Sequence, residues 1–274
     1  MKAVVSRKAG KPEVLGTDYA GTVESVGKAV IGFKVGDQVF GARKGAFAEY
    51  VSIPETGPVV RKPSAVTFEQ AAAVPVAGLT ALQAVQDHGR VREGQRVLVN
   101  GASGGVGTFA VQISKALGAL VTGVCSPQNI ETALAIGADR VIDYTKEDFT
   151  RRGERYDLAI DIAGSHSWSK FRRVLEPKGT FVAVGLAAIQ HSPGGVGKSL
   201  RHLLGVRLAS LTGGPRSASF IAKLNKQGLA FLGDLMAAGK IRSVIDRQYE
   251  LKQVHEAMAY MDQGHARGKV VIRL

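Results

Sequence analysis

The sequence contains one cysteine, Cys125, among its 274 residues. A single cysteine excludes an internal disulfide bond and any zinc site built from several cysteines. The six histidines show no close pairing along the chain. A catalytic zinc ion needs three protein ligands around an open position, so we expect chemistry without a metal.

Long apolar runs are also missing. No uninterrupted apolar segment approaches the ~20 residues that a helix needs to cross a bilayer. The start of the chain, MKAVVSRKAGK, has too short an apolar stretch for the core of a signal peptide. We therefore expect a cytoplasmic protein that does not contact membranes.

Acidic residues are fewer than basic ones, 23 against 36, which gives a net charge of +13. This balance favours anionic partners, such as a phosphorylated cofactor, a nucleic acid or an anionic surface. The basic residues are scattered, however, and form no block of five or six. Nucleic-acid binding is therefore not the expected main function.

The pattern along the chain changes twice. Residues 1–63 consist of short β-like runs separated by Gly and Pro. From about Thr67, helical patterns alternate with near-continuous apolar strands, which is typical of a parallel sheet covered on both faces. The end of the chain returns to β-type segments. We predict an α/β protein in which a doubly wound parallel sheet, residues 75–243, is inserted in a β domain formed by residues 1–74 and 244–274.

The strongest motif is RVLVNGASGGVG, in which a strand runs into Gly101-x-x-Gly104-x-x-Gly107 and a helix follows. Glycines at this spacing allow a tight turn, a close approach of backbone N–H groups to a pyrophosphate, and close packing of helix on strand. The positive end of the helix dipole then faces the phosphates. The motif predicts dinucleotide binding.

Two other interpretations of glycine motifs remain open. Residues 101–105 also spell Gly-x-Ser-x-Gly, the nucleophile turn of serine hydrolases, with Ser103 as the nucleophile. No downstream histidine has an obvious position for such a site. Residues 194–199 resemble the end of a phosphate-binding P-loop, but Ser192 stands where the first glycine belongs.

The second strand of the nucleotide-binding region predicts the cofactor. NAD sites place an acidic residue about 20 residues after the glycines, where it binds the ribose 2′-hydroxyl. Here the strand ends in GVCSPQN, and the first acid is Glu131. Neutral polar groups in a basic protein suit a 2′-phosphate, so we expect NADP(H) rather than NAD(H). Cys125 is interpreted as a buried strand-end residue.

Several segments together resemble one family. Seven segments resemble those of zinc-free quinone oxidoreductases, the zeta-crystallin-like branch of the medium-chain dehydrogenase/reductase superfamily, and occur in the same order. They are GTDYAGTVESVG, GDQVFG, GAFAEYVSIPE, AAAVPVAGLTAL, VREGQRVLVNGASGGVG, GADRVIDY and HARGKVVI. The resemblance implies a GroES-like catalytic domain formed from both chain ends and a Rossmann domain between them. It also implies hydride transfer from NADPH to quinones or α,β-unsaturated carbonyls (enones), in a homodimer.

The resemblance also assigns roles to residues. Thr17 occupies the position of the zinc-binding histidine of related enzymes and cannot replace it. No catalytic residue is assigned, although Asp18 and Tyr19 lie near the family's site. The implied cofactor contacts are Thr80 at the nicotinamide, Ser103, Gly104, Gly105, Val106 and Gly107 at the pyrophosphate, Ser126 and Tyr144 at the 2′-phosphate, Asn129 where some relatives have a phosphate-pairing lysine, and Ala163, Gly164, Val184, Gly185 and Lys269 along the cleft.

One segment departs from the family. In KPEVLGTDYAG, Leu15 is followed directly by Gly16, whereas relatives have several β-strands and a pocket-forming loop between these segments. Three or four strands with their turns correspond to roughly 30–50 missing residues. Three hypotheses follow: a quinone or enone reductase, another reaction on the same scaffold such as zinc-free alcohol dehydrogenation or enoyl reduction, or a non-catalytic remnant that binds NADPH or nucleic acid.

Overall fold

The computed structural model describes residues 5–8, 11–184, 214–264 and 266–274. The chain divides into two compact units. The catalytic unit consists of Met1–Leu79 and Lys223–Leu274, and the nucleotide unit consists of Thr80–Ala222. The division expected from the sequence placed its first boundary close to this one and its second boundary, at 243/244, further along the chain.

The catalytic unit contains strands and short helices from both ends of the chain. The elements from the first part are β1 (Val5–Lys8), β2 (Lys11–Val14), β3 (Asp18–Thr22), β4 (Gln38–Ala42), β5 (Val59–Arg61) and α1 (Phe68–Ala72). The next helix, α2 (Pro75–Leu82), begins in this unit and ends in the nucleotide unit, where the chain continues as a π-helix over Gln83–His88.

The nucleotide unit then contributes β6 (Arg96–Asn100), α3 (Gly105–Ala116), β7 (Leu120–Cys125), α4 (Ile130–Ala135), β8 (Arg140–Asp143), β9 (Tyr156–Asp161), α5 (Trp168–Phe171), β10 (Leu175–Val184) and β11 (Arg216–Phe220). Short 3-10 turns lie at Pro127–Asn129, Phe149–Arg151 and Arg172–Val174. The chain ends in α6 (Lys226–Ala237), β12 (Ile245–Glu250), a 3-10 turn at Leu251–Gln253, α7 (Val254–Asp262) and β13 (Lys269–Arg273).

The nucleotide unit is built on a six-stranded sheet with the order β11-β10-β9-β6-β7-β8, in which all neighbours are parallel. The strands are apolar because both faces are covered: Val97, Leu98 and Val99 of β6 are completely buried. The strand order reverses between β6 and β9, which is the point where doubly wound folds bind ligands beside the carboxyl ends of the strands. The predicted Rossmann sheet is confirmed.

The catalytic unit has a three-stranded antiparallel sheet with the order β3-β4-β5. Strands β1 and β2 pair antiparallel, and β12 pairs with β13 in parallel. Phe40 of β4 is completely buried and, with Leu79 and Leu232, belongs to the core of this unit. The small antiparallel sheet agrees with the expected GroES-like domain, so the mixed α/β fold is confirmed.

The junction Leu15-Gly16-Thr17 directly connects β2 to β3. The backbone N–H groups of Gly45 and Phe47 donate to the carbonyls of Gly16 and Leu15, at 2.9 and 3.2 Å. The junction is therefore attached to the segment that follows β4 and forms a defined turn. That this turn marks the position of a deletion remains a prediction.

Some expectations fall on residues that the structure does not describe. Gly185 and the P-loop-like segment 194–199 both lie outside the described residues. Within the described residues, no helix combines the length and the apolar character needed to cross a membrane.

Candidate dinucleotide site

The candidate site begins where β6 ends at Asn100 and the chain turns toward α3. Gly101 has a φ of +92°, in the left-handed region that residues with side chains disfavour. The backbone N–H groups of Gly101 and Ala102 both donate to the carbonyl of Val124, at 3.1 and 3.0 Å. The first glycine of the motif therefore makes a turn that is attached to the end of the neighbouring strand β7.

The other two motif glycines shape the start of α3. A Cβ atom on Gly107 would overlap the carbonyl oxygen of Gly101 and lie 2.9 Å from the backbone of Ala102, so only glycine fits there. Gly104 is the N-cap of α3, and no side chain caps the helix. Because the first N–H groups of a helix have no intrahelical partner, they can bind an anion. The loop from Ser103 to Gly107 therefore fits a pyrophosphate.

Three predicted cofactor residues meet beside this loop. The side-chain nitrogen of Asn129 donates to the hydroxyl of Ser103 at 3.1 Å and to the hydroxyl of Ser126 at 2.9 Å. Asn129 is only 7% exposed, and its Oδ1 atom is buried without a hydrogen-bond partner among the described residues. Ser103 is bonded to an amide rather than to a histidine, which argues against its use as a hydrolase nucleophile.

Strand β7, which ends at Cys125, contains no acidic or basic side chain. Cys125 is a buried free cysteine, and burial together with the nearby Asp143 carboxylate raises the pKa of its thiol to about 11. Cys125 is the last residue of β7 and is 2% exposed, which confirms the interpretation of Cys125 as a buried strand-end residue. Tyr144 follows β8 with 58% of its surface exposed, and its backbone N–H donates to the carbonyl of Cys125 at 3.3 Å.

A second polar cluster, which the sequence reasoning missed, lies at the ends of β6 and β9. The Oδ1 atom of Asp161 accepts from the side-chain nitrogen of Asn100 at 2.8 Å and from the backbone N–H of Gly164 at 3.0 Å. Asp161 is 2% exposed, and burial raises the pKa of its carboxyl to about 6 against the two hydrogen bonds. The sequence feature that could have revealed this cluster is a polar residue at the carboxyl end of each of two buried strands, Asn100 of β6 and Asp161 of β9.

This cluster extends toward the surface through Ser165 and His166. Asn100 also donates to the hydroxyl of Ser165 at 3.1 Å, and that hydroxyl lies 2.8 Å from Nδ1 of His166. The Nε2 atom of His166 lies 3.5 Å from a carboxylate oxygen of Asp148. The histidine ring packs against Phe149, with a centroid distance of 4.8 Å, and its side chain remains 17% exposed.

The loop after β9 contacts the glycine-rich turn. A Cβ atom built on Gly101 would lie 3.3 Å from the backbone nitrogen of Ala163. Ala163 therefore lies beside the glycine motif, and Gly164 follows it in the loop after β9. Val184 ends β10 and is buried, and Thr80, the first residue of the nucleotide unit, is 8% exposed. Their contacts with a cofactor remain predictions.

The remaining predicted contact, Lys269, belongs to the catalytic unit. Its ammonium group lies 3.3 Å from Oδ2 of Asp18, and the backbone N–H of Val76 donates to Oδ1 of Asp18 at 2.9 Å. Burial raises the pKa of Asp18, and the Lys269 charge opposes this shift. Lys269 thus has a partner within its own unit, and its contact with a cofactor remains a prediction.

No group of three or more His, Cys, Asp or Glu residues is placed to hold a metal ion in the described part of the chain. By resemblance, Thr17 occupies the position of a zinc-ligating histidine in related enzymes, and it supplies only a hydroxyl. That the chain works without a metal remains a prediction.

Known families match both ends of the chain. Residues 2–64 match the alcohol dehydrogenase GroES-like domain, and residues 136–272 match the family described as zinc-binding dehydrogenase. The mouse mitochondrial NAD(P)H oxidoreductase RTN4IP1 is 35% identical over 292 aligned residues, which cover 96% of this chain and 71% of the mouse protein. Since this alignment is longer than the 274 residues here, the mouse protein has residues within the matched region that this chain lacks.

Two further comparisons agree with this match. The trans-enoyl reductase pgmF of Aspergillus terreus is 33% identical over 285 residues, covering 97% of this chain and 78% of that protein. The structure of the quinone oxidoreductase from Coxiella burnetii superposes with a TM-score of 0.82 and 31% identity, covering 96% of this chain and 80% of that one. With its dinucleotide-type loop and both domain matches, the chain belongs to the medium-chain dehydrogenase/reductase superfamily and, by resemblance, to its quinone oxidoreductase branch.

Proposed function

We propose that this chain is an NADPH-dependent oxidoreductase that reduces quinones or α,β-unsaturated carbonyl compounds. The observation that carries the proposal is the polar cluster beside the glycine-rich loop. Ser103, Ser126 and Asn129 meet there without a carboxylate of their own. Neutral hydrogen-bonding groups suit the 2′-phosphate of NADPH because no negative charge repels it.

The residues of the nucleotide unit have distinct roles in this proposal. The uncapped start of α3 binds the pyrophosphate through backbone N–H groups. Ser126 and Asn129, with Tyr144 nearby, bind the adenosine end, while Ala163, Gly164 and Val184 line the crevice from the ends of β9 and β10. When bound, NADPH supplies the hydride, and the chain holds and orients both reactants and excludes water.

No general acid is assigned. A quinone that accepts a hydride can take its proton from water, so the reaction does not require a protein acid. Tyr19 is an unfavourable proton donor, since its hydroxyl is buried and burial raises its pKa well above the ordinary value. Asp18 is paired with the Lys269 ammonium and accepts a hydrogen bond from the N–H of Val76. The contribution of the catalytic unit is therefore proposed to be the shape of the substrate pocket.

The test uses the full chain. NADPH binding is measured from the change in its own fluorescence, and oxidation of NADPH is then followed after addition of 9,10-phenanthrenequinone. We expect saturable binding and quinone-dependent oxidation, with weaker binding of NADH. Equal affinities for NADH and NADPH at moderate salt would contradict the cofactor preference, and absence of binding would contradict the whole proposal.

A second candidate function is reduction of an enoyl substrate, which the similarity to a protein named trans-enoyl reductase favours. Stereospecific reduction of an enoyl thioester without quinone turnover would replace the first proposal by this one. The third candidate, a chain that binds NADPH without turning over substrate, is favoured by the residues that the mouse relative has and this chain lacks. Binding without oxidation by either acceptor would support it.

We further propose that the protein is a cytoplasmic homodimer whose partner in the reaction is a small molecule rather than a nucleic acid. Analytical ultracentrifugation at micromolar concentration tests the dimer, and a sedimentation coefficient matching the 28.9 kDa monomer would contradict it. Competition between NADPH and short DNA or RNA for the chain would argue for the nucleic-acid alternative.

A further inference from the structure

A serine, a histidine and an aspartate of the nucleotide unit form a connected group between β9 and α5. Ser165 is exposed, and its Oγ atom lies 2.8 Å from Nδ1 of His166. On the other side of the ring, Nε2 of His166 lies 3.5 Å from Oδ1 of Asp148. A hydroxyl, an imidazole and a carboxylate connected in this order can activate the serine for attack on a carbonyl group.

The surrounding hydrogen bonds direct the proton of the serine hydroxyl. The side-chain nitrogen of Asn100 donates to Oγ of Ser165 at 3.1 Å, and an amide nitrogen cannot accept. The Ser165 proton therefore points to Nδ1 of His166, and the ring carries its own proton on Nε2, toward Asp148. In the usual serine hydrolases the serine contacts Nε2 instead. Either nitrogen accepts the proton equally well when it is the unprotonated one.

The imidazole ring of His166 is held in place and in the state that a base requires. It packs against the rings of Phe149 and Phe171, with centroid distances of 4.8 and 6.3 Å. Burial lowers the pKa of His166, the Lys170 ammonium lowers it further, and Asp148 opposes both effects. The ring is therefore neutral near pH 7, so Nδ1 is available to accept a proton.

The amide of Asn100 is placed where negative charge would develop. Asn100 is 3% exposed, and its side-chain nitrogen also donates to Oδ1 of Asp161 at 2.8 Å, which fixes the amide beside Ser165. When Oγ bonds to a carbonyl carbon, the carbonyl oxygen becomes an anion attached to the same carbon. Serine hydrolases can stabilise this anion with a side-chain amide, and loss of such a donor costs about 10²–10³ in kcat.

From this geometry we propose that the nucleotide unit contains an esterase site, in which Ser165 is the nucleophile, His166 the general base and Asn100 the donor to the developing anion. Asp148 is a positioning residue that acts through His166. The substrate class is a carboxylic ester that reaches the exposed Ser165 hydroxyl. The inference does not rest on the proposed oxidoreductase activity, because ester hydrolysis needs no dinucleotide.

The reaction balances without an oxidant or a reductant. As Oγ of Ser165 bonds to the ester carbonyl carbon, its proton passes to Nδ1 of His166. The bond from that carbon to the alcohol oxygen then breaks, and the alcohol leaves with the proton. Water next bonds to the acyl carbon and gives a proton to Nδ1. The carboxylic acid leaves as Ser165 takes this proton back.

The experiment uses the full chain without added NADPH. Hydrolysis of p-nitrophenyl acetate is followed by the absorbance of p-nitrophenolate, and a fluorophosphonate probe is located on the chain by peptide mass spectrometry. We expect the probe on Ser165. Ser165→Ala and His166→Gln should each lower the rate of hydrolysis by about tenfold or more, because each removes a reacting group.

Ser169→Ala is the matched control, since it removes another exposed hydroxyl from the same part of the chain. We expect it to keep the original rate and the labelling of Ser165. Thermal unfolding shows whether each variant is folded. The labelling position in the unmodified chain tests the proposal even if a variant does not fold.

The role of Asp148 is tested by the pH dependence of hydrolysis. Asp148 and Lys170 are the charged groups in the described part of the chain that shift the pKa of His166. Asp148→Asn removes the charge that raises this pKa. The pH of half-maximal hydrolysis should therefore move to a lower value. A folded variant with an unchanged half-maximal pH would contradict the positioning role of Asp148.

Two results would overturn the esterase site. One is a probe that leaves Ser165 unlabelled or attaches to another residue of the unmodified chain. The other is a folded Ser165→Ala variant that hydrolyses the ester as fast as the unmodified chain, because the hydrolysis would then come from other surface groups. Binding of NADPH is measured separately, so failure of the proposed oxidoreductase function would not change either result.

Discussion

Asp161 of the nucleotide unit is buried and Asp18 of the catalytic unit is largely buried, and the charges of these two aspartates are compensated differently. In the nucleotide unit, Asp161 is bonded to the neutral amide of Asn100 and to the backbone N–H of Gly164. In the catalytic unit, Asp18 is bonded to the N–H of Val76 and is also paired with the Lys269 ammonium. Neutral donors leave the pKa of Asp161 raised to about 6, whereas a cation opposes the rise at Asp18.

The two aspartates should therefore respond differently to pH and to the loss of a partner. A carboxylate held by neutral groups can take up a proton near neutral pH without leaving another charge unpaired. A buried ion pair has no such freedom, because removal of either partner leaves an isolated charge. The nucleotide unit should therefore respond to pH at Asp161, and the catalytic unit should respond mainly to loss of Lys269.

The largest expected change in stability comes from breaking the ion pair between Lys269 and Asp18. Lys269→Met leaves the Asp18 carboxylate without its cation, and we expect the free energy of unfolding to fall by about 3 kcal/mol at pH 8. Since Lys269 lowers the pKa of Asp18, its removal lets the carboxyl take up a proton more readily. The loss should therefore be smaller at pH 5, as measured by urea unfolding at both pH values.

Asp18→Asn provides the control for this prediction. In that background the amide has no charge to compensate, so Lys269→Met should cost much less than in the unmodified chain. Equal costs in both backgrounds would show that the pair contributes no coupling energy and would contradict the comparison between the units.

A smaller effect is expected at Asp161. Its pKa is raised from 3.8 to about 6, so the folded state favours the protonated carboxyl. The free energy of unfolding therefore falls as the pH rises through this range. Asp161→Asn keeps an acceptor for both hydrogen bonds and removes the charge. We expect it to be about 2 kcal/mol more stable than the unmodified chain at pH 7.5, with little difference near pH 4.

Unfolding curves from pH 4 to pH 8 measure this difference. Asp87→Asn removes an exposed carboxylate from the same unit and serves as the control. A difference between Asp161→Asn and the unmodified chain that does not change with pH would show that the Asp161 carboxylate bears its charge without cost.

The smallest expected changes in stability come from removing the hydroxyl groups of two tyrosines, one in each unit. The hydroxyl of Tyr19 in the catalytic unit is buried and has no hydrogen-bond partner in the described part of the chain, whereas that of Tyr156 in the nucleotide unit donates to Glu154 at 3.0 Å. Tyr19→Phe should leave stability unchanged or raise it by up to about 1 kcal/mol, because it removes an unsatisfied polar group. Tyr156→Phe should lower stability by about 1 kcal/mol, because it removes a hydrogen bond.

Thermal unfolding of the two variants measures the signs of these changes. Opposite signs would support the contrast between these two hydroxyls, one of which donates a hydrogen bond while the other has no partner among the described residues. A comparable loss in Tyr19→Phe would mean that its hydroxyl contributes to stability, and the contrast between the units would not hold for these groups.

Local patterns in the sequence were sufficient to predict most strands and the glycine-rich loop of the nucleotide unit, but not β11 (Arg216–Phe220). Near-continuous apolar runs predict buried parallel strands because both faces of each strand must be covered. Glycines at positions 101, 104 and 107 predict the turn because few other residues tolerate its φ angle and its close approaches. These properties depend on neighbours within a few residues, so the sequence determined them by itself.

Contacts between distant residues were decided by the tertiary structure. Asn129 meets Ser103 across 26 residues, Asn100 meets Asp161 across 61, and Lys269 meets Asp18 across 251. The side chains at the strand ends were visible as candidates, but their hydrogen-bond partners depend on strand order and on how each loop folds over the sheet. For this reason the sequence predicted where a dinucleotide would bind, and only the folded chain showed which groups its polar residues contact.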